Sequence, residues 1–222
     1  MSKGSSPRGD TTKNTYIDLG ASTDEAYRIS ASSRALAREA VGDENREDRI
    51  RQRCSVAVGD FGMADLLRFC HHPVEAGLAA LEKKSPIITD IRMVQVGIQK
   101  KGHESPVLCA LDYGGDLART TGITRSRAGI VSLGKTLDGS ILVIGNAPSA
   151  LLAVCEMIRE GSVRPALVIG IPVGFINAAE SKEELRGLPV PSISTEGTRG
   201  GTPVAVAALN EIITIYAEQG RE

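Results

Sequence analysis

The stretch ALVIGIPVGFINAAESKEE, residues 166–184, decides the fold. It opens with an apolar run rich in Val and Ile, ending at Gly170, and passes through a loop bearing Pro172 and Gly174. A charged, Ala-rich segment follows. An apolar run without polar alternation reads as a strand covered on both faces, the signature of a parallel sheet. The charged segment reads as a helix. The same grammar recurs upstream in ILVIGNAPSALLAV and downstream in PSISTEGTRGGTPVAVAALNEI. Repeated strand–loop–helix units predict an α/β fold, a three-layer α/β/α arrangement around a mainly parallel central sheet of about five strands. Each crossover is expected to be right-handed.

Outward from that stretch, strands are expected over residues 86–90, 106–111, 140–145, 166–170 and 191–194. Helices are expected between them over 93–100, 126–137, 149–160, 178–186 and 202–218. Four more helices precede the alternation, in the later part of 24–41 and over 43–58, 62–71 and 73–83. In the first, Ser32 or Ser33 is a candidate cap. In the second, Asp43 and Glu44 come early and Arg49, Arg51 and Arg53 later, which complements the helix dipole. Pro73 suits the first turn of the fourth. These N-terminal helices are expected to cover an edge or one face of the sheet. Residues 1–14 are polar and read as a disordered tail, leaving residues 15–222 as a single domain.

Composition narrows the function. The chain has 222 residues, 41% hydrophobic and 24% charged, the profile of a soluble protein with one full core. A net charge of -1 argues against a nucleic-acid partner. No apolar run approaches the ~20 residues of a membrane span, and no secretory signal is visible, so a cytoplasmic protein is expected. Aromatic residues make up only 3% and Trp is absent, so a planar ligand would be held by aliphatic side chains and backbone. Cys54, Cys70, Cys109 and Cys155 are scattered without metal-ligand spacing and read as free thiols. His71 and His72 are adjacent and isolated, so no metal site is expected. Neither GxGxxG nor GxxxxGK[ST] follows a strand, GIPVGF lacks the serine of a nucleophile elbow, and no triad is apparent.

The carboxyl ends of parallel strands share one edge, where open α/β sheets bind ligands. That edge gathers Thr89 and Asp90, Asp112, Gly145 and Asn146, residues 170–174 and residues 195–201. It offers carboxylates, an amide, glycine N–H groups, Arg199 and helix starts near Pro148 and Thr202, a set that favours anions. Each element has a plainer reading: Asn146 as a turn residue, Asp90 as a helix cap, GTRGG as a flexible turn. Arg125 and Arg127 in GITRSRAG diverge by about 160° around a helix starting near Thr124, so they cannot fork one carboxylate together. Arg125, near the helix start, could reach a ligand carboxylate with a bidentate fork; its plainer reading is a solvent-facing arginine.

The blocks PIITDIRMVQVGI, GITRSRA, GNAPSALLAV, GIPVGFINAAESKEEL and GTRGGTPVAVAALN resemble the precorrin-8X methylmutase family (cobalt-precorrin-8 methylmutase, precorrin isomerase) across about residues 29–217. The resemblance implies an isomerase of cobalamin biosynthesis. It would move a methyl group between neighbouring ring carbons of an anionic tetrapyrrole, precorrin-8X or its cobalt form, giving hydrogenobyrinate or cobyrinate. It implies a homodimer with active sites near the subunit interface, and neither a redox nor a nucleotide cofactor. By the same resemblance, Ser33 falls on a serine that the family places against the substrate, Arg53 on the family's arginine, Thr89 and Asp90 on its T/C-D after the first sheet strand, and Arg125 on the arginine of its xTRS block; with Asn146, Gly174 and Arg199 from the strand-end reading, these are the expected substrate-binding residues. The family carries Arg-x-x-His near the end of an N-terminal helix, its histidine giving a proton to the macrocycle. Here the segment is RCSVAVGD, so Arg53 matches and Val56 stands at the histidine. Valine has no proton to transfer. Asp60, one turn on, and Cys54, about 200° around the helix, are the substitutes within reach. The alternatives are a non-catalytic corrinoid-binding paralogue and a rearrangement driven by binding strain alone. An unrelated α/β enzyme acting on another anionic metabolite is the fold-only reading.

Overall fold

The computed structural model describes residues 23–220. The expected tail, residues 1–14, lies outside them. Helices α1 (Asp24–Val41), α2 (Arg46–Val58) and the single turn α3 (Met63–Leu66) lead into β1 (Leu67–Cys70) and α4 (Pro73–Glu82). Then come β2 (Ile87–Thr89), α5 (Arg92–Gly97), β3 (Val107–Cys109), α6 (Gly115–Thr121) and α7 (Arg125–Leu133). The chain ends with β4 (Ile141–Ile144), α8 (Pro148–Arg159), β5 (Leu167–Gly170), α9 (Ala178–Arg186), β6 (Ser192–Thr195) and α10 (Thr202–Gln219).

The strands form one six-stranded sheet in the order β1-β6-β5-β4-β2-β3. All neighbours are parallel except β1, which runs antiparallel to β6 with Leu67 opposite Thr195 and Cys70 opposite Ser192. Strand parity splits the core in two. Ile87, Ile141, Val143, Leu167, Ile169 and Ile193 pack towards α4 and α10. Ile88, Leu142, Ile144 and Val168 pack towards α7, α8 and α9. Three layers result. Helix α10 is apolar around nearly its whole circumference because it lies between the sheet and the outer helix α2.

Local chemistry sets most boundaries. Thr23, Asn45 and Thr124 accept N–H bonds at the starts of α1, α2 and α7. Pro73 and Pro148 open α4 and α8. Gly59 at φ +64° closes α2 in the left-handed region.

Four expectations are corrected. Residues 62–71 do not form one helix: after the α3 turn the chain extends into β1, because Leu67–Cys70 completes the open edge of β6. That apolar run suits either state, and a distant partner decides it. Ser32 and Ser33 lie inside α1, which Thr23 caps. Helix α2 starts at Arg46, so its early acids are Glu47 and Asp48, while Asp43 and Glu44 belong to the lead-in. Helix α6 was not anticipated. The expected strands are all found, four of them trimmed by a residue or more and the last shifted by one to Ser192–Thr195, and Ala110–Asp112 after β3 turns into a 3-10 helix.

Candidate active site at the carboxyl-end rim

The β2 chain turns to β3 on one side, whereas β4 leads to β5 on the other, so the sheet's switch point lies between β2 and β4. Ligands of open α/β sheets sit in the crevice outside such a point. Here Asp90 enters it from the end of β2. Its carboxylate accepts Gly145 N–H at 3.1 Å and Asn146 and Ala147 N–H at 2.8 Å each. Burial pushes its pKa up, opposed by those three donors. The anion-accepting end of α8 is therefore already served by the chain's own carboxylate. Thr89 is buried too, its hydroxyl donating to the Leu108 carbonyl at 3.1 Å. Thr89 and Asp90 shape the rim from below, and Asn146 next to them is exposed.

The remaining strand ends supply cations. Arg92 pairs with Asp112 beyond β3. Arg125 donates to the Leu111 carbonyl at 2.8 Å, while Arg127 turns away to Glu156, the divergence expected from their spacing. In the loop after β6, Arg199 pairs with Asp60 at 2.9 Å, drawing the end of α2 to the rim. Gly200 in this loop sits at φ +157°, and a Cβ there would lie 2.7 Å from the Ile171 carbonyl oxygen. Gly174 N–H donates to the Thr198 carbonyl, joining the β5 and β6 loops. Three cavities of about 540, 590 and 300 Å³ lie elsewhere and face Glu82, Glu47 with Glu75, and Glu104.

Helix α2 runs against α10, and its last turn borders the rim. Cys54 Sγ lies 3.5 Å from the Val204 carbonyl near the start of α10. Val56, half a turn further, is 40% exposed. Cys54 is sealed and its thiol pKa is pushed up by burial, then by Glu211, which removes it as a proton donor to any bound ligand. Asp60 is partly exposed, accepting from Arg199 and from Gly62 N–H at 2.8 Å. None of the chain's three histidines is near. His71 and His72 follow antiparallel β1 and His103 precedes β3, which puts all of them at the opposite edge.

Arg53 sits away from the rim strand ends. Its guanidinium donates to Glu211 at 3.2 Å and to Thr214 at 3.3 Å, well along α10. Arg34 and Arg49 converge on the same Glu211 carboxylate, which is completely buried. Ser33 is half-buried on α1, next to this cluster's Arg34. Arg125, Asn146, Gly174 and Arg199 are thus brought to one rim, with Thr89 and Asp90 beneath it, while Arg53 belongs to an internal ion cluster.

Two groups escaped the sequence reading. Phe175 and Ile176 between Gly174 and α9 are 90% and 78% exposed, with Val173, Val58 and Phe61 also open. Large apolar residues in a short loop after a buried strand were the available signal. The second is Lys182 on α9, completely buried beneath the β6 loop. No cluster of His, Cys, Asp and Glu suited to a metal occurs among the described residues.

Comparison with known proteins agrees with this architecture. The precorrin-8X methylmutase family model matches residues 28–215. The cobalt-precorrin-8 methylmutase of Methanocaldococcus jannaschii is 39% identical over 211 residues, covering 90% of this chain and 98% of that protein. The Priestia megaterium protein of the same name is 41% identical over 176 residues, covering 77% and 78%. A crystal structure of the Thermus thermophilus precorrin-8x methyl mutase superposes with a TM-score of 0.79 at 36% identity, covering 87% of this chain and 98% of that one. A parallel sheet with these loops on its rim, matched along nearly its whole length, places the chain in the precorrin-8X methylmutase family.

Proposed function

We propose that the protein is an isomerase of cobalamin biosynthesis that moves a methyl group between neighbouring ring carbons of precorrin-8X or cobalt-precorrin-8, giving hydrogenobyrinate or cobyrinate. The observation that carries this reading is the full-length likeness to the M. jannaschii cobalt-precorrin-8 methylmutase. The rim suits the substrate's chemistry. A flat ring edged with carboxylates meets Arg125, Arg199 and Asn146 at its margin and open apolar groups such as Phe175 and Ile176 against its face. An intramolecular methyl shift conserves composition, so neither a redox nor a nucleotide cofactor is called for.

Catalysis here rests first on fixing the ring in a near-reactive shape. Asp60 lies beyond the end of α2, which Gly59 closes after Val58, and its carboxylate is held by Arg199, so it is a partner that a substrate carboxylate would displace and no replacement for a histidine proton donor. The working unit in this reading is a cytoplasmic homodimer, one domain per chain over residues 15–222, with the exposed apolar groups near the subunit boundary. A second reading has one observation in its favour: Val56 cannot supply the proton expected at its position. It is a corrinoid-binding protein without turnover.

The test adds purified protein to precorrin-8X or its cobalt form and follows the visible spectrum. Conversion supports the isomerase. Tight binding of hydrogenobyrinate or cobyrinate without conversion supports the second reading. Sedimentation velocity checks the dimer.

A further inference from the structure

Lys182 is the largest side chain in the completely buried set, at 0% exposure. Its ammonium donates to Thr195 Oγ1 at 3.0 Å and to the Arg199 carbonyl at 2.7 Å, and Thr195 Oγ1 itself donates to that carbonyl at 2.7 Å. Both acceptors of the ammonium are neutral. A buried cation with neutral partners is costly, and an apolar side chain would fill the same space without that cost. The lysine is placed where its charge has a use. The loop beyond Thr195 contains Gly197 at φ +64°, Gly200 at φ +157° and Gly201 at φ +111°, a backbone with little stiffness of its own. Lys182 grips it at Arg199, the residue whose side chain reaches the rim.

We propose that Lys182 is a positioning residue for anion recognition, fixing the 196–201 loop from below and setting a buried positive charge beneath the point where a substrate carboxylate meets Arg199. This rests on the reading of the rim as a site for a polyacidic ring. No carboxylate among the described residues pairs with the Lys182 ammonium, and Glu180, two residues before it, is exposed to solvent. On its own helix, Glu183 turns to Arg186 and Glu184 to Arg159. Arg186 donates to Ser194 Oγ and the Thr195 carbonyl, adding a second cation at the end of β6. On α8, Glu156 is taken by Arg127, and Cys155 meets only the Ser181 carbonyl. In the loop, Glu196 pairs with Arg68, and Arg199 with Asp60. Burial, and then Arg186, lower the ammonium's pKa from 10.5 to about 8. The ammonium is therefore mostly charged at neutral pH and loses its charge as pH rises through about 8.

The decisive variant is Lys182→Met, which keeps the stem and removes the charge. KM for the tetrapyrrole, and Kd for its corrinoid product, are expected to rise about tenfold, with kcat falling less than KM rises. Wild-type affinity should weaken above pH ~8, and Lys182→Met should lack that limb. The variant should be at least as resistant to urea at pH 7 as wild type, a gain that fades towards pH ~10.5, because it removes a buried charge. A lysine that merely held the fold would give the opposite stability change. Unchanged affinity with an unchanged alkaline limb overturns the proposal. Hydrogen exchange in the free protein separates this from failure of the functional reading. The Gly201 N–H, bonded to the Ile171 carbonyl at 2.8 Å, should exchange at least tenfold faster in Lys182→Met. Unaltered exchange overturns the proposal even if no tetrapyrrole ever binds. Thr195→Val, which deletes one anchor and keeps the lysine, should likewise raise KM and speed Gly201 exchange while retaining the alkaline limb and losing urea resistance; it serves alone if Lys182→Met does not fold, and unaltered KM and exchange in it overturn the proposal.

Discussion

Replacing Glu211 with Gln should weaken the hold of the body on the first two helices. The Glu211 carboxylate has no solvent exposure and receives Arg34 from α1 together with Arg49 at 2.9 Å and Arg53 at 3.2 Å from α2. Burial alone would raise its pKa, but the field and hydrogen bonds of Arg34, then the fields of Arg49 and Arg53, outweigh that and hold it below the usual value. Gln keeps one acceptor oxygen and turns an N–H₂ towards guanidinium donors. Breaking one partner of a buried ionic cluster costs about 3–5 kcal/mol, here towards the middle of that range, since Arg49 retains Glu218 at 2.7 Å. For a domain of this size that is a fall in Tm of roughly 10 °C. Urea unfolding at pH 7 measures it. The depressed carboxyl stabilises the fold fully above the unfolded value of about 4.3 and loses that effect as pH falls through its lower folded value. The difference between wild type and variant should therefore shrink below about pH 4. A loss under about 1 kcal/mol at pH 7, or a difference that grows in acid, would refute the reasoning.

Asp90→Ala strips the shared acceptor from three backbone donors at the switch point, so it should cost about 2–3 kcal/mol and speed amide exchange at Gly145 and Ala147. Gly129→Ala would set a Cβ 2.0 Å from the Ala110 carbonyl oxygen. Both sides of that clash are backbone, so a loss of about 3 kcal/mol is expected by calorimetry. Arg125→Met should raise KM severalfold while changing urea stability by under about 0.5 kcal/mol, because its guanidinium is exposed and bonded only to a carbonyl. Val56→His should raise turnover and give it an acid-dependent limb near pH ~6.5; a pH profile identical to that of wild type counts against a proton-transfer role at this position.

How much was legible depended on whether the deciding contact was local. The β5–loop–α9 stretch announced itself because β5 is apolar on both faces and α9 has its own helical phase. Strand β1 did not, since LLRFC is settled only by pairing with β6. Glu211 was readable in part: one acid inside the apolar run of α10 is a conspicuous interruption, and Arg49 and Arg53 lie one turn apart. Which arginines it would meet, across more than 150 residues, was not. Lys182 was hidden by its charged neighbours in ESKEEL. Its phase gave it away: Ala178, Ser181, Lys182 and Leu185 are the buried face of α9. Asp90 was placed correctly at a strand end, but sequence could not tell a carboxylate that meets a ligand from one that saturates its own loop.

The charged groups divide by depth, and the division has a functional consequence. Asp90, Lys182 and Glu211 are completely buried, and each fixes backbone or whole helices. The rim pairs, Arg92 with Asp112 and Arg199 with Asp60, are about half exposed on both partners. Exposed pairs are worth about 0–1 kcal/mol, so in the proposed reading a polyacidic ring would exchange its carboxylates for Asp60 and Asp112 at little cost. In the same reading, groups under the rim would hold the loops still during that exchange and keep the ordering cost out of binding. Salt separates the two sets. Screening reaches the exposed pairs and the ring's carboxylates but hardly the buried cluster. Raising ionic strength should therefore weaken ring binding severalfold while leaving urea stability almost unchanged. Parallel losses in both would mean that the rim and the frame are one electrostatic unit.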